Sequence, residues 1–261
     1  MPVFLALDLH TWMAYGMLGA ARIAPAFFML PFLNSGVITG VVRLSTILIV
    51  AIGLWPHPLS SMGILENFDL VHLIGMLVAE VMIGIVLACL LSWPFWIFHA
   101  LGSFIDNQRG ATLSSSVDPA NGVDTSELAN FFNLFAAVAY LLGGGMQLTL
   151  ELFVHSYRLC DPLTGCELQI APLMPILGNV MSRAVVLASP VVAALLLTEV
   201  LLGLLSRFAP QMNAFSIALT IKSAVAFLIL LLYFGPVLPS EVIALAFKPA
   251  GLADWFSVGT P

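Results

Sequence analysis

Charge is what this sequence lacks most. Asp, Glu, Lys and Arg together make up 8% of its 261 residues, where a soluble domain carries about 25%. So few ionised groups cannot cover a water-facing surface, which excludes a soluble enzyme or binding domain and predicts an integral membrane protein. Basic residues are the scarcer sign: 8 Lys and Arg stand against 14 Asp and Glu, for a formal net charge of −6. With no basic patch, nucleic acid is excluded as a partner. Only three cysteines and five histidines are present. They form no CxxC pair and no metal-ligand spacing, and neither HExxH nor GxSxG occurs. No enzyme activity, metal or cofactor is expected. The opening MPVFLALDLH lacks a basic region and places Asp8 where a signal peptide needs an apolar core, so the first apolar segment is expected to be retained.

Apolar sequence is what the chain has in abundance, at 61% of residues with a mean hydropathy of +1.07. It falls into about six long runs: Trp12–Leu30, Val37–Trp55, Leu70–Leu91, Phe131–Leu150, Val180–Leu205 and Ala214–Leu238. Each is close to the ~20 residues that carry a helix across ~30 Å of hydrocarbon. A shorter piece, Trp93–Ile105, follows the third run. The predicted fold is all-α, an integral membrane-type protein of about six long apolar helices in one domain covering residues 1–261. PFLNSG between the first two runs suits a tight helical hairpin. Lys and Arg are too sparse in the linkers to set an orientation.

Six charges lie inside the apolar runs: Arg22, Arg43, Glu80, Arg183, Glu199 and Lys222. The remaining positions are therefore mainly acidic. An ionised side chain at a helix centre costs on the order of 2.5–3.5 kcal/mol, so the deeper ones need partners. Arg183 lies near a segment start and can snorkel. Arg183 and Glu199 cannot pair within one helix, since sixteen residues separate them by roughly 24 Å. Some partners are expected from other subunits, with backbone carbonyls or water as the alternative. Intramembrane charges also mark solute pathways, which keeps a secondary transporter as the competing function. The glycines at Gly143–Gly145 fit either a transporter's broken helix or close helix packing.

Two stretches carry a resemblance. One is WPFWIFHALGSFIDNQRGATLSSSVDP, Trp93–Pro119, a polar segment between apolar neighbours. The other is LLSRFAPQMNAFSIALTIKSA, Leu204–Ala224. In this order and in a chain of this length they resemble the SctT/FliR family of type III export-apparatus proteins, with DNQRGA and IKSA closer to the virulence (injectisome) branch than to the flagellar one.

The resemblance implies a non-enzymatic subunit of a gated, protein-conducting pore. Its partners would be relatives of SctR and SctS, with SctU-like and SctV-like proteins alongside and unfolded polypeptides as cargo. Kinked helical hairpins would pack in a helical export-gate assembly, in the bacterial inner membrane with much of the assembly on the periplasmic side. The segment after DNQRG would project into the pore and help to close it. Here that segment is Gly110–Pro119, with Leu113, Ser114, Ser115, Ser116 and Val117 where flagellar relatives carry bulky aromatics. That departure points to another subunit for the tighter seal, and an ordinary polar connector stands as the alternative reading. Asp106, Gln108 and Arg109 would support the base of the loop. Arg22, Arg43, Glu80, Glu199, Arg207 and Lys222 would stabilise the assembly. Pro210 is expected to break the helix near Arg207. Cys160 and Cys166 bracket CDPLTGC, whose turn signals allow either a disulfide, which would persist on the periplasmic side, or two free thiols. Cys89 is expected to be a packed thiol.

Overall fold

Backbone amides that cannot reach water must pair within the chain, and an apolar run does so most directly as a helix. A computed structural model describes residues 2–34, 36–55, 70–111, 126–163, 166–208 and 214–257. The helices are α1 (Pro2–Met29), α2 (Gly40–Leu54), α3 (Leu70–Arg109), α4 (Glu127–Leu142), α5 (Gly145–Leu159), α6 (Leu173–Phe208), α7 (Ala214–Phe234) and α8 (Leu238–Leu245). A 3₁₀ helix, Pro249–Trp255, follows. Strands β1 (Glu167–Leu168) and β2 (Phe256–Ser257) form one short antiparallel ladder that pairs Glu167 with Ser257 and Leu168 with Phe256. The protein is an all-α membrane protein.

The expected count of six long helices changes in two ways. The third run and the short piece after it merge into the 40-residue α3, with Pro94 inside it. Pro94 removes one backbone donor, yet α3 continues through it. The run Phe131–Leu150 instead splits into α4 and α5 at Gly143 and Gly144. Gly144 has φ +83°, a left-handed turn that a side chain would strain. Three helices, Val71–Arg109, Leu173–Phe208 and Ile217–Phe234, are long and apolar enough to cross a membrane, and α4 with α5 makes a fourth if counted together. At 1.5 Å per residue α3 rises about 60 Å and α6 about 54 Å. Both exceed a hydrocarbon core of about 30 Å, so parts of each must lie beyond it.

The chain forms two compact units. One comprises residues 1–92, 144–174 and 246–261, and the other residues 93–143 and 175–245. In the first, α1 packs along α2, and the Trp55 ring stacks on Tyr157 with centroids 6.1 Å apart. The Tyr157 hydroxyl donates to the Gly19 carbonyl at 2.8 Å. In the second, Phe98, Phe132, Phe135 and Phe234 form a ring cluster, with Phe135 and Phe234 centroids 4.4 Å apart. The Phe95 ring meets Tyr140 edge-on at 5.3 Å. Phe95, Phe98, Phe132 and Tyr140 are buried among leucines, alanines and valines of the same unit.

Candidate functional site

Each unit gathers its polar chemistry around one buried charge. In the first unit the charge is Arg22, which is completely buried. Its Nε donates to Glu80 Oε2 at 2.6 Å and its Nη2 to Glu80 Oε1 at 2.7 Å, a bidentate pair between α1 and α3. Nη2 also donates to the Cys160 carbonyl at 2.9 Å, and Nη1 to Ser156 Oγ at 3.3 Å. The guanidinium carbon lies 4.4 Å from the centre of the Tyr157 ring. The planar fork of arginine thus has acceptors on two sides and an aromatic face on a third, which is the geometry a buried guanidinium needs. Cys160, whose carbonyl closes this set, is joined to Cys166 by a disulfide with Cα atoms 5.5 Å apart.

In the second unit the buried charge is Asp106, 1% exposed near the end of α3. Its Oδ1 accepts from Arg109 Nε at 2.7 Å. Its Oδ2 accepts from the Ser126 hydroxyl at 2.7 Å and from the Leu128 amide at 3.0 Å. Ser126 caps α4, its Oγ accepting from the Ala129 amide. One carboxylate therefore holds the end of α3 and the beginning of α4 together. Gly110 ends α3 with φ +82°, and the Ala111 amide turns back to the Asp106 carbonyl at 3.0 Å. The DNQRG motif now has a physical reading. Asp106 ties the two helix ends, Arg109 neutralises it, Gly110 stops the helix, and Asn107 and Gln108 face outward. The Arg109 guanidinium also lies 5.2 Å from the Phe227 ring of α7.

Beside this motif lies a cavity of about 520 Å³, lined by Asn107, Gln108, Arg109, Gly110, Ser206 and the pair Glu199 and Lys222. Lys222 Nζ is 3.2 Å from Glu199 Oε1, with side-chain exposures of 15% and 57%. The rest of α6 and α7 leaves much apolar surface uncovered. Only 11% of the most apolar window of α7 is buried, and Leu197, Leu201, Leu228 and Leu231 are all more than half exposed.

The sequence-selected residues therefore divide. Arg22 and Glu80 find each other within the chain and require no neighbouring subunit. Glu199 and Lys222 also pair, on an open face. Arg43 packs over the Phe28 ring at 4.2 Å and has no carboxylate within ion-pair distance among the described residues. Arg207 is exposed in the last turn of α6, and Pro210 lies outside the described residues. Of the loop, Gly110 is described, while Leu113, Ser114, Ser115, Ser116, Val117 and Pro119 lie outside the described residues. Cys89 is half-buried in α3. Sequence reasoning missed Ser126, Ser156 and Tyr157. Ser126 carried a signal, since a serine directly before Glu127 and an apolar run is a helix-start pattern. Among the described residues no group of His, Cys, Asp and Glu could hold a metal ion.

Comparison with known proteins gives one family. The profile described as "Bacterial export proteins, family 1" matches residues 13–245. The chain is 56% identical to surface presentation of antigens protein SpaR of Salmonella typhimurium over 252 residues, covering 97% of this chain and 95% of that protein. It is 30% identical to Yop proteins translocation protein T of Yersinia pestis over 218 residues, 81% of this chain and 82% of the other. Flagellar biosynthetic protein FliR of Bacillus subtilis is 27% identical over 157 residues, 58% of this chain and 61% of its own length.

Proposed function

The chain belongs to the SctT/FliR family of bacterial export proteins, and on that premise we propose that it forms, with relatives of SctR and SctS, the gated pore through which unfolded proteins are exported. It is a subunit of a type III secretion export apparatus and a multi-pass protein of the bacterial inner membrane. The observation that carries the pore reading is the open face of α6 and α7, long apolar helices bearing the Glu199–Lys222 pair on a largely uncovered surface. A lone chain in lipid gains nothing from a half-exposed ion pair there, whereas a neighbouring subunit would desolvate and complete it. Arg207 at the end of α6 fits the same interface. SctU-like and SctV-like proteins deliver the unfolded cargo, and the disulfide-bearing end of α5 lies on the oxidising, periplasmic side.

The segment Gly110–Pro119 acts as the gate element. Support comes from its base, where Asp106 ties the ends of both flanking helices into one fixed frame. All of residues 1–261 act as one export-apparatus domain, since the chain passes between its two units four times.

Two experiments test this reading. Co-expression with SctR and SctS relatives should yield a stable ring-like complex; a monodisperse solitary protein that transports a small solute would favour the secondary transporter instead. Deleting Leu113–Val117 should leave assembly intact and make the membrane leaky to small solutes. A deletion complex that assembles and stays at the closed baseline removes the gate assignment.

A further inference from the structure

A groove of about 530 Å³ runs along the surface between α1 and α2. Its walls are Ala20, Ala21 and Ala24 from α1 and Leu44, Ile47 and Leu48 from α2, with Arg43 as its one charged lining residue. Among the described lining residues no other side chain carries an N–H, an O–H or a carbonyl oxygen. Arg43 stands at one end, in the first turn of α2, with Phe28 beneath its guanidinium at 4.2 Å. From Phe28 to Met17, α1 runs away from that end for about 16 Å along the groove. The surrounding surface is aliphatic and open, with Val41 82% and Ile49 70% exposed.

This asymmetry identifies the occupant. A groove with a single cation at one end and only hydrocarbon beyond it matches a molecule that has one anionic head and an apolar tail. A protein interface of similar size brings several hydrogen bonds and a polar rim, and neither is present in the lining. Arg43 has no carboxylate within ion-pair distance among the described residues. Its planar fork suits bidentate contact with a phosphodiester. Gly40 opens α2 at the same end, so the positive pole of the helix adds to the attraction. The alanines on α1 leave room for an acyl chain that larger side chains would fill.

We propose that the α1–α2 groove binds one anionic phospholipid, with the phosphate on Arg43 and an acyl chain along Ala24, Ala21 and Leu48. The proposal uses residues of the first unit alone, and it does not depend on the pore reading.

The test uses the full chain, purified in mild detergent and given phosphatidylglycerol or phosphatidylcholine, with retained lipid counted by native mass spectrometry. The wild type should keep one phosphatidylglycerol in preference to phosphatidylcholine. Arg43→Gln should lower that preference by about fivefold, and Arg43→Lys should preserve only part of it, keeping the charge but losing the bidentate fork. Ala24→Leu, which fills the groove and leaves the cation, should reduce retention of both lipids. A photoreactive leucine at Leu44 in membranes should capture lipid. Equal retention of the two lipids by the wild type would overturn the proposal. So would undiminished phosphatidylglycerol binding in Arg43→Gln, or capture of a polypeptide at Leu44.

Discussion

Among the described residues two charge pairs bridge helices, and they sit in opposite surroundings. Arg22–Glu80 is bidentate, 2.6 Å at its shortest, with side-chain exposures of 0% and 4%. Lys222–Glu199 is a single contact at 3.2 Å whose carboxylate is 57% exposed. The first is closed: carboxylate, serine hydroxyl, backbone carbonyl and aromatic ring occupy the guanidinium from within one unit. The second is unfinished, a lysine with one partner on an apolar face. A charge in an apolar run thus marks a closed helix–helix joint in one unit and an open one in the other, where the proposed neighbour would complete it. Sequence position alone does not distinguish them, because both lie within apolar runs. What separates them is the number of acceptors the fold brings to each.

Breaking the closed pair should have the largest effect. Glu80→Ala leaves Arg22 buried against one carbonyl and a weak hydroxyl contact, and a buried ion without its counter-ion costs about 3–5 kcal/mol. Thermal unfolding in detergent should show that loss, together with reduced yield in membranes. Arg22→Met combined with Glu80→Leu should recover most of the stability, since an apolar pair of similar volume carries no desolvation penalty. If Glu80→Ala unfolds at the wild-type temperature, the pair is not what joins α1 to α3.

A smaller loss is expected at the buried carboxylate of the second unit. Asp106→Asn keeps the size of the side chain but removes the charge that Arg109 balances, and it turns one oxygen site into a donor facing groups that already donate. A destabilisation of about 2–3 kcal/mol follows, measurable by the same unfolding assay. Wild-type stability in Asp106→Asn would mean that the ends of α3 and α4 are held by packing alone. Below this comes the disulfide. Replacing Cys160 and Cys166 together with serine should cost about 2 kcal/mol, the low end of the usual range, because the ring it closes is short. Labelling the unfolded, unreduced wild type should modify Cys89 alone; three labelled cysteines would remove the bond.

Much of this was legible in the residues. Sparse charge and long apolar runs predict an all-α membrane protein, and the order of DNQRGA and IKSA points to the family. The helix count was less legible because hydropathy reports apolar length and not continuity. The third run and the piece from Trp93 read as separate, yet one helix runs through both. Gly143–Gly145 read equally as a helix break or as close packing, and the helix turns there. The charges were legible as needing partners but not as having them, since Arg22 and Glu80 are 58 residues apart and no local pattern joins them. The Asp106 clamp was half legible: the motif was visible, while its acceptor geometry depends on Ser126 and Leu128, brought close only by folding. Gly102 belongs to the same class. A Cβ there would overlap the backbone at Ala129, a close approach that sequence could not foresee.

The smallest effect on the chain itself, and the sharpest test of the open pair, is expected from Lys222→Met. The methionine keeps most of the stem's volume and deletes the ammonium, and the carboxylate it leaves on Glu199 is 57% exposed, so folding stability should move by no more than about 1 kcal/mol. Complex yield with SctR and SctS relatives should fall by about fivefold or more, because in the assembled interface the same charge is desolvated and must be matched. Neutralising the partner's carboxylate in the same preparation should restore part of that yield, as coupling between contacting residues requires. A chain that loses stability as severely as Glu80→Ala would show that Lys222 belongs with the closed pair after all. Unchanged assembly and secretion would show that the face of α6 and α7 binds its neighbour through apolar surface alone, with Glu199 and Lys222 merely satisfying one another.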